Sequence, residues 1–232
     1  MKKLNFIVQA KGGVGKSLFM YLFALTKERE SESLFIDVDA STQTSARQLK
    51  FLPQNRLDAI TLLDEKEVLV RDNLISYLEN LSKCGFQECF FDFGAPESEQ
   101  LPALLERDLP FKEFADELGF EVVFHIVIAG GGAYKASVNY LRKMIAATQN
   151  QFQLIVWQNI TSFSKHPELS QELASNCHNL GLTLKLYGDF EPSSNLGSQI
   201  LDGVRKGDAL ENYQTGARLR LKRELKINFN HE

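Results

Sequence analysis

At 232 residues, with 44% apolar and 24% charged side chains, the chain can bury a substantial core, and extended disorder is excluded over most of it. Acidic residues outnumber basic ones by 30 to 26, which excludes the strong uniform positive field of an obligate nucleic-acid coat but leaves room for a local basic patch. Cys84, Cys89 and Cys177 have no C-x-x-C spacing or histidine partner motif, which argues against a disulfide framework and a zinc site and favours buried thiols in a reducing cytoplasm.

In chain order, LNFIV (4–8) is a short β-rich run that ends at a glycine loop, and the apolar stretch 17–27 reads as a helix buried on every side. Strand candidates follow at 33–39, ending in Asp37 and Asp39, at 59–63, and at 88–93, where Asp92 lies near the end. Three more are expected at 121–129, 152–159 and 182–190, with helices near 68–83, 98–118, 133–147 and 167–180. His125 sits inside the fifth of these runs and reads as a hydrogen-bonded core histidine with no catalytic role. Leu210, Tyr213, Ala217, Leu221 and Leu225 recur at helical spacing and predict a final helix packed on the sheet. Strands alternating with helices, the strands being nearly continuous in hydrophobic residues, predict an α/β fold: a mostly parallel central sheet with helices on both faces. No linker or internal repeat interrupts it, so one domain over 1–232 is expected. No apolar run reaches the length of about 18 residues that spans a bilayer, and the N-terminus enters a strand pattern rather than a signal peptide. A cytoplasmic location is therefore expected.

The stretch KGGVGKS (11–17) carries the chemistry. Gly12, Gly13 and Gly15 allow the backbone to curl its N–H groups around phosphate oxygens, with Val14 inside the same loop. The helix that starts near Lys16 adds its positive end. Lys16 is placed to reach the β and γ phosphates, and the Ser17 hydroxyl to take one position on Mg²⁺. Position 10, where an ordinary P-loop has its first glycine, is Ala10.

This pattern, K-G-G-V-G-K-S, resembles the deviant Walker A motif of the ParA/MinD-type P-loop ATPases. The resemblance implies that Lys11 is the signature lysine, reaching the partner's nucleotide across an ATP-dependent homodimer, as an arginine finger does. FIDVDAS resembles the family's D-x-D element, which puts Asp37 near the Mg²⁺ shell and makes Asp39 the residue that orients the attacking water. FFDFGAP resembles Walker B and switch II, with Asp92 as outer Mg²⁺ ligand and Gly94 as hinge. No N/T-K-x-D motif for guanine occurs, and by resemblance Asn159 reads adenine while Pro192 stands for the proline of the base-flanking segment, so ATP is expected over GTP. Leu18 occupies the place of the family's second hydroxyl, which implies weaker nucleotide binding. Residues 92–133 resemble the plasmid StbB/TraL branch, except that Phe93 replaces its polar residue before Gly94. That branch implies plasmid stability, partition, positioning or conjugative transfer, with a plasmid-encoded adaptor or DNA-binding protein as partner.

Five basic residues, Arg218, Arg220, Lys222, Arg223 and Lys226, stand against Glu224 alone in residues 218–226. A solvated helix face ranks first. A surface for non-specific DNA, with nucleoid association, or for a protein partner ranks second, and an anionic membrane, as for MinD, third. Two other functions stay open: a biosynthetic enzyme using ATP on a small molecule, and a module that binds nucleotide without hydrolysis.

Overall fold

The computed structural model describes residues 1–38, 47–107 and 110–230. Among them, β1 (Lys2–Val8), β2 (Ser33–Val38), β3 (Leu57–Ala59), β4 (Glu88–Phe93), β5 (Phe120–Ile128), β6 (Gln153–Asn159) and β7 (Thr183–Tyr187) form one sheet in the order β3-β2-β4-β1-β5-β6-β7. Every neighbouring pair is parallel. The expected α/β fold with a mostly parallel sheet is thus observed.

The helices are α1 (Lys16–Thr26), α2 (Arg71–Ser82), α3 (Ala95–Arg107), α4 (Phe111–Glu117), α5 (Tyr134–Thr148), the single turn α6 (Ile160–Phe163), α7 (Pro167–Asn179), α8 (Asn195–Lys206) and α9 (Thr215–Phe229). Alternate residues of each central strand feed two cores. On β5, Phe124, Ile126 and Ile128 face the core beneath α2 to α5 and α7, whereas Val123 and Val127 face the core beneath α1, α8 and α9. Two buried faces explain why these strands read as unbroken apolar runs. The chain leaves β1 for one side of the sheet and later resumes at β5 on the other, so the carboxyl end of β1 lies at a switch point, where open α/β sheets form their ligand crevice.

Several expectations shift. The run 59–63 is not a strand: β3 pairs with β2 only through Leu57, Asp58 and Ala59. Leu62 is fully buried without ladder pairing, and the chain then turns at Asp64, whose Oδ1 accepts the Lys66 and Val68 N–H groups at 2.8 and 2.9 Å. The expected helix 98–118 is two helices, and Pro110, which has no N–H to donate, precedes the second. Leu210 lies on a short 3₁₀ turn and Tyr213 just after it, so only Ala217, Leu221 and Leu225 of the predicted stripe belong to α9. That helix packs on α1, α8 and β7. Helix α8 was not anticipated. Its Gly203 is demanded by packing, since a Cβ there would fall 2.3 Å from the Tyr213 ring. Cys84 is exposed, contrary to expectation. Cys89 and Cys177 are buried, which pushes their thiols up to about 12 and about 11.

His125 belongs to a buried polar chain that crosses the sheet. Trp157 Nε1 donates to its Nδ1 at 3.0 Å, so its proton sits on Nε2, 3.0 Å from Asn5 Oδ1. Asn5 Nδ2 in turn donates to Glu88 Oε1 at 3.1 Å. Burial first, then Lys3 and Lys185, depresses the histidine to about 3. It is the core histidine the sequence predicts. Because the folded value lies below the unfolded one, its contribution is complete above pH 6.5 and is lost as pH falls toward 3, by about 1.4 kcal/mol per pH unit. Urea midpoints taken from pH 7 to pH 4.5 should therefore fall more steeply for the natural chain than for His125→Gln; equal slopes would contradict the assignment.

Candidate functional site

The loop from Gln9 to Gly15 joins β1 to α1 at the switch point. Gly13 and Gly15 take φ of +75° and +106°, the left-handed region that glycine enters without cost. A Cβ at Gly12 or Gly13 would meet nothing within 4 Å, so open space lies beside the loop. Val14 is buried and Lys11 exposed. The first turn of α1 contains no acid of its own, and its positive end faces the loop and the Asp92 carboxylate that Ser17 reaches. Lys16 is buried, and its Nζ donates to the Gln9 carbonyl at 3.0 Å, which folds the ammonium back over the loop.

The acids expected around a metal sit beside this loop. Ser17 Oγ donates to Asp92 Oδ2 at 2.9 Å. Asp92 is in register with Ile7 of β1 on one side and with Asp37 of β2 on the other, and both aspartates are buried. Ser17, Asp37 and Asp92 therefore converge from three elements. Asp39 lies outside the described residues. Among the described residues, no group of three or more His, Cys, Asp or Glu side chains could hold a metal ion by itself. Phe93, the departure at switch II, is a core residue that packs on Phe6 with ring centres 5.2 Å apart. Gly94 follows and accepts the Ser98 N–H at 3.0 Å as α3 begins.

Behind the loop the ends of β6 and β7 close in. Asn159 Nδ2 donates to Val14 O at 3.0 Å, and the buried Tyr187 hydroxyl donates to Gly15 O at 3.2 Å. Burial raises the Tyr187 phenol, which keeps that proton in place. The Val14 bond also settles the amide's orientation, because turning it round would set oxygen against oxygen. Asn159 Oδ1 then points away, buried and without a hydrogen-bond partner. Gly188 forms the wall beside it: a Cβ there would lie 3.4 Å from Asn159 Oδ1 and 3.7 Å from Leu18 Cδ2. Pro192 is exposed in the turn before α8, and it is at Gly188 that a side chain would press on Asn159.

Sequence reasoning missed Gln9, Tyr187 and Gly188. Gln9 is fully buried and accepts the Lys16 ammonium on its carbonyl. Its side chain donates to Val127 O at 2.8 Å and Ser137 O at 3.3 Å, and accepts the Lys11 N–H at 3.3 Å. A lone glutamine after a strand carries no motif. The closest available signal was a polar side chain directly following a fully apolar strand end.

On α9, Lys222, Arg223 and Lys226 are exposed, while Arg220 pairs with Asp189 and donates to its carbonyl at 2.9 Å. Arg218 and Lys222 line a cavity of about 570 Å³ with Glu28, Glu30 and Glu211, so acids offset part of the basic stretch. Among the described residues no helix is long and apolar enough to cross a membrane.

The crowding at Gly15 is testable. A Cβ there would fall 2.7 Å from the Tyr187 hydroxyl oxygen and 2.8 Å from Asn159 Nδ2, on a backbone at φ +106°. Gly15→Ala should therefore destabilise the protein by about 2 kcal/mol or more, whereas Gly12→Ala should leave thermal unfolding nearly unchanged. Equal melting temperatures for the two variants would contradict this reading.

Comparison with known proteins places this geometry. No family model matches the chain. Two proteins named TraL from Escherichia coli are 27% and 28% identical to it over 169 residues, 68% of this chain and 64% of each relative. The chain thus matches less than two thirds of those relatives' length. The MinC:MinD cell division protein complex of Aquifex aeolicus contains a chain that superposes with a TM-score of 0.53, covering 96% of this chain and 95% of that one at 12% identity. The chain is similar in sequence to TraL and has the fold of MinD.

Proposed function

We propose that the chain is a single-domain ATPase of the ParA/MinD type, a switch that binds ATP and Mg²⁺, dimerises, and resets on slow hydrolysis. The observation that carries the reading is the cradle at the end of β1: left-handed Gly13 and Gly15, the N-terminus of α1, Lys16 folded over the loop, and Ser17 bonded to Asp92. Gly12, Gly13, Val14, Gly15 and Lys16 would hold the phosphates, Ser17 and Asp92 the Mg²⁺, with Asp37 in its outer surroundings. When bound, the metal would neutralise phosphate charge. Asp39 would position the attacking water.

The residues present fit an adenine nucleotide. Asn159 Oδ1 has no partner and is covered in this structure; uncovered by a local movement, it would be an acceptor that suits the 6-amino group of adenine and repels the 6-oxo group of guanine. Pro192 keeps its proposed place in the base-flanking segment, whose Gly188 lies beside Asn159 and Leu18. Exposed Lys11 is free of the fold's interior and suits a cation delivered to a second protomer.

The same reading extends to plasmid stability, partition, positioning or conjugative transfer. It rests on the resemblance of residues 92–133 and on the similarity to TraL. A protein adaptor is the proposed partner, by analogy with the MinC of the superposed complex. Lys222, Arg223 and Lys226 offer a DNA surface, with Arg218 and Arg220 drawn partly toward acids.

Light scattering with ATP·Mg²⁺ should give dimers that ADP does not. Lys11→Ala should remove the ATP-dependent dimer while nucleotide still binds, and Lys16→Ala should weaken binding itself by at least about tenfold. A dimer indifferent to nucleotide, or to Lys11, would sink the switch. DNA mobility and liposome sedimentation with ATP across salt concentrations separate the surfaces, since phosphate-driven DNA binding should fall steeply with salt.

A further inference from the structure

Glu224 is the only acid in the basic stretch 218–226, and it is buried on the inner side of α9. Its Oε1 accepts the Gly188 N–H at 2.7 Å, a charge-assisted bond in a place where a carboxylate is costly to bury. The Gly188 carbonyl accepts the Thr161 hydroxyl at 2.6 Å, and the residue is turned into the left-handed region at φ +76°. Its Cα side faces Asn159 Oδ1 and Leu18. A single residue therefore receives the C-terminal helix through its N–H and forms the wall around the partnerless amide oxygen with its Cα. The other inward residues of α9, Ala217, Leu221 and Leu225, are apolar and pack without direction. Glu224 and Arg220, which donates to the neighbouring Asp189 carbonyl at 2.9 Å, supply the directional contacts that fix where the helix sits, and of the two Glu224 is the one bonded to Gly188 itself.

We propose that Glu224 is a positioning residue for the base end of the nucleotide site, and that through it the seating of α9 and adenine-nucleotide affinity are one linked equilibrium. The inference rests on the nucleotide reading above. A ligand that braces the exposed Lys222, Arg223 and Lys226 side of α9 would then tighten nucleotide binding, and nucleotide would brace the helix by the same free energy.

The test compares ATP·Mg²⁺ with inorganic triphosphate·Mg²⁺, which has no base, by calorimetry on the full chain. Glu224→Ala should weaken ATP about tenfold and change triphosphate by less than about twofold. Glu224→Gln keeps an oxygen acceptor but loses the charge, so about a threefold loss confined to ATP is expected. Should the alanine variant not fold, the glutamine variant decides alone. ATP should also slow amide hydrogen exchange in residues 215–229 of the natural chain and not in Glu224→Ala. Unchanged ATP affinity in both variants, or parallel losses for ATP and triphosphate, would overturn the proposal and leave the base site standing. If the natural chain binds ATP no more tightly than triphosphate, the base site itself fails, and the role of Glu224 with it.

Discussion

Everything in this molecule turns on the absence of a side chain at Gly15. The chain leaves β1, rises into α1 through a left-handed residue, and is met there from behind by a tyrosine hydroxyl and an asparagine amide. No residue with a Cβ fits this junction without displacing one of them. The turn therefore ties β1 and α1 to the ends of β6 and β7, elements separated from it by about 140 residues or more in the chain. The loop and the ends of β6 and β7 are joined here because the Val14 and Gly15 carbonyls accept from the Asn159 amide and the buried Tyr187 hydroxyl.

Charge is arranged around that unit by burial as much as by number. Asp37 and Asp92 lie side by side at buried strand ends, where Ser17 reaches one of them. Glu224 is drawn inward to a backbone amide, while its basic neighbours Lys222, Arg223 and Lys226 stay in solvent. A helix that reads as a nearly uniform basic stretch is thus two-sided, with its acid committed to the loop beside Asn159. The chain Trp157–His125–Asn5 beneath α1 follows the same rule: burial keeps a titratable group uncharged, and its two ring nitrogens find neutral partners.

Much was legible because it depends on local chemistry. Glycine spacing announces the loop, and acids at the ends of apolar runs announce Asp37 and Asp92. His125, surrounded by strand residues, is read correctly as core. The errors share one cause, which is that partners distant in sequence overrule local preference. The run 59–63 is apolar enough for a strand but has only a short edge to pair with. Helix α8 keeps a glycine, Gly203, in its interior because the Tyr213 ring presses on it. Cys84 has no local mark of its exposure.

The sequence by itself determined the fold class, the glycine-rich turn between β1 and α1 with Lys16 and Ser17, and the order of the acids, because periodicity and spacing express backbone geometry directly. Only the tertiary structure decided that Gln9 seats the loop, that Asn159 presents its oxygen and not its nitrogen, and that Glu224 grips Gly188 in place of the solvent. Those roles are hydrogen bonds between atoms brought together by the sheet order, and a hydrogen bond has no existence until both of its ends are in place.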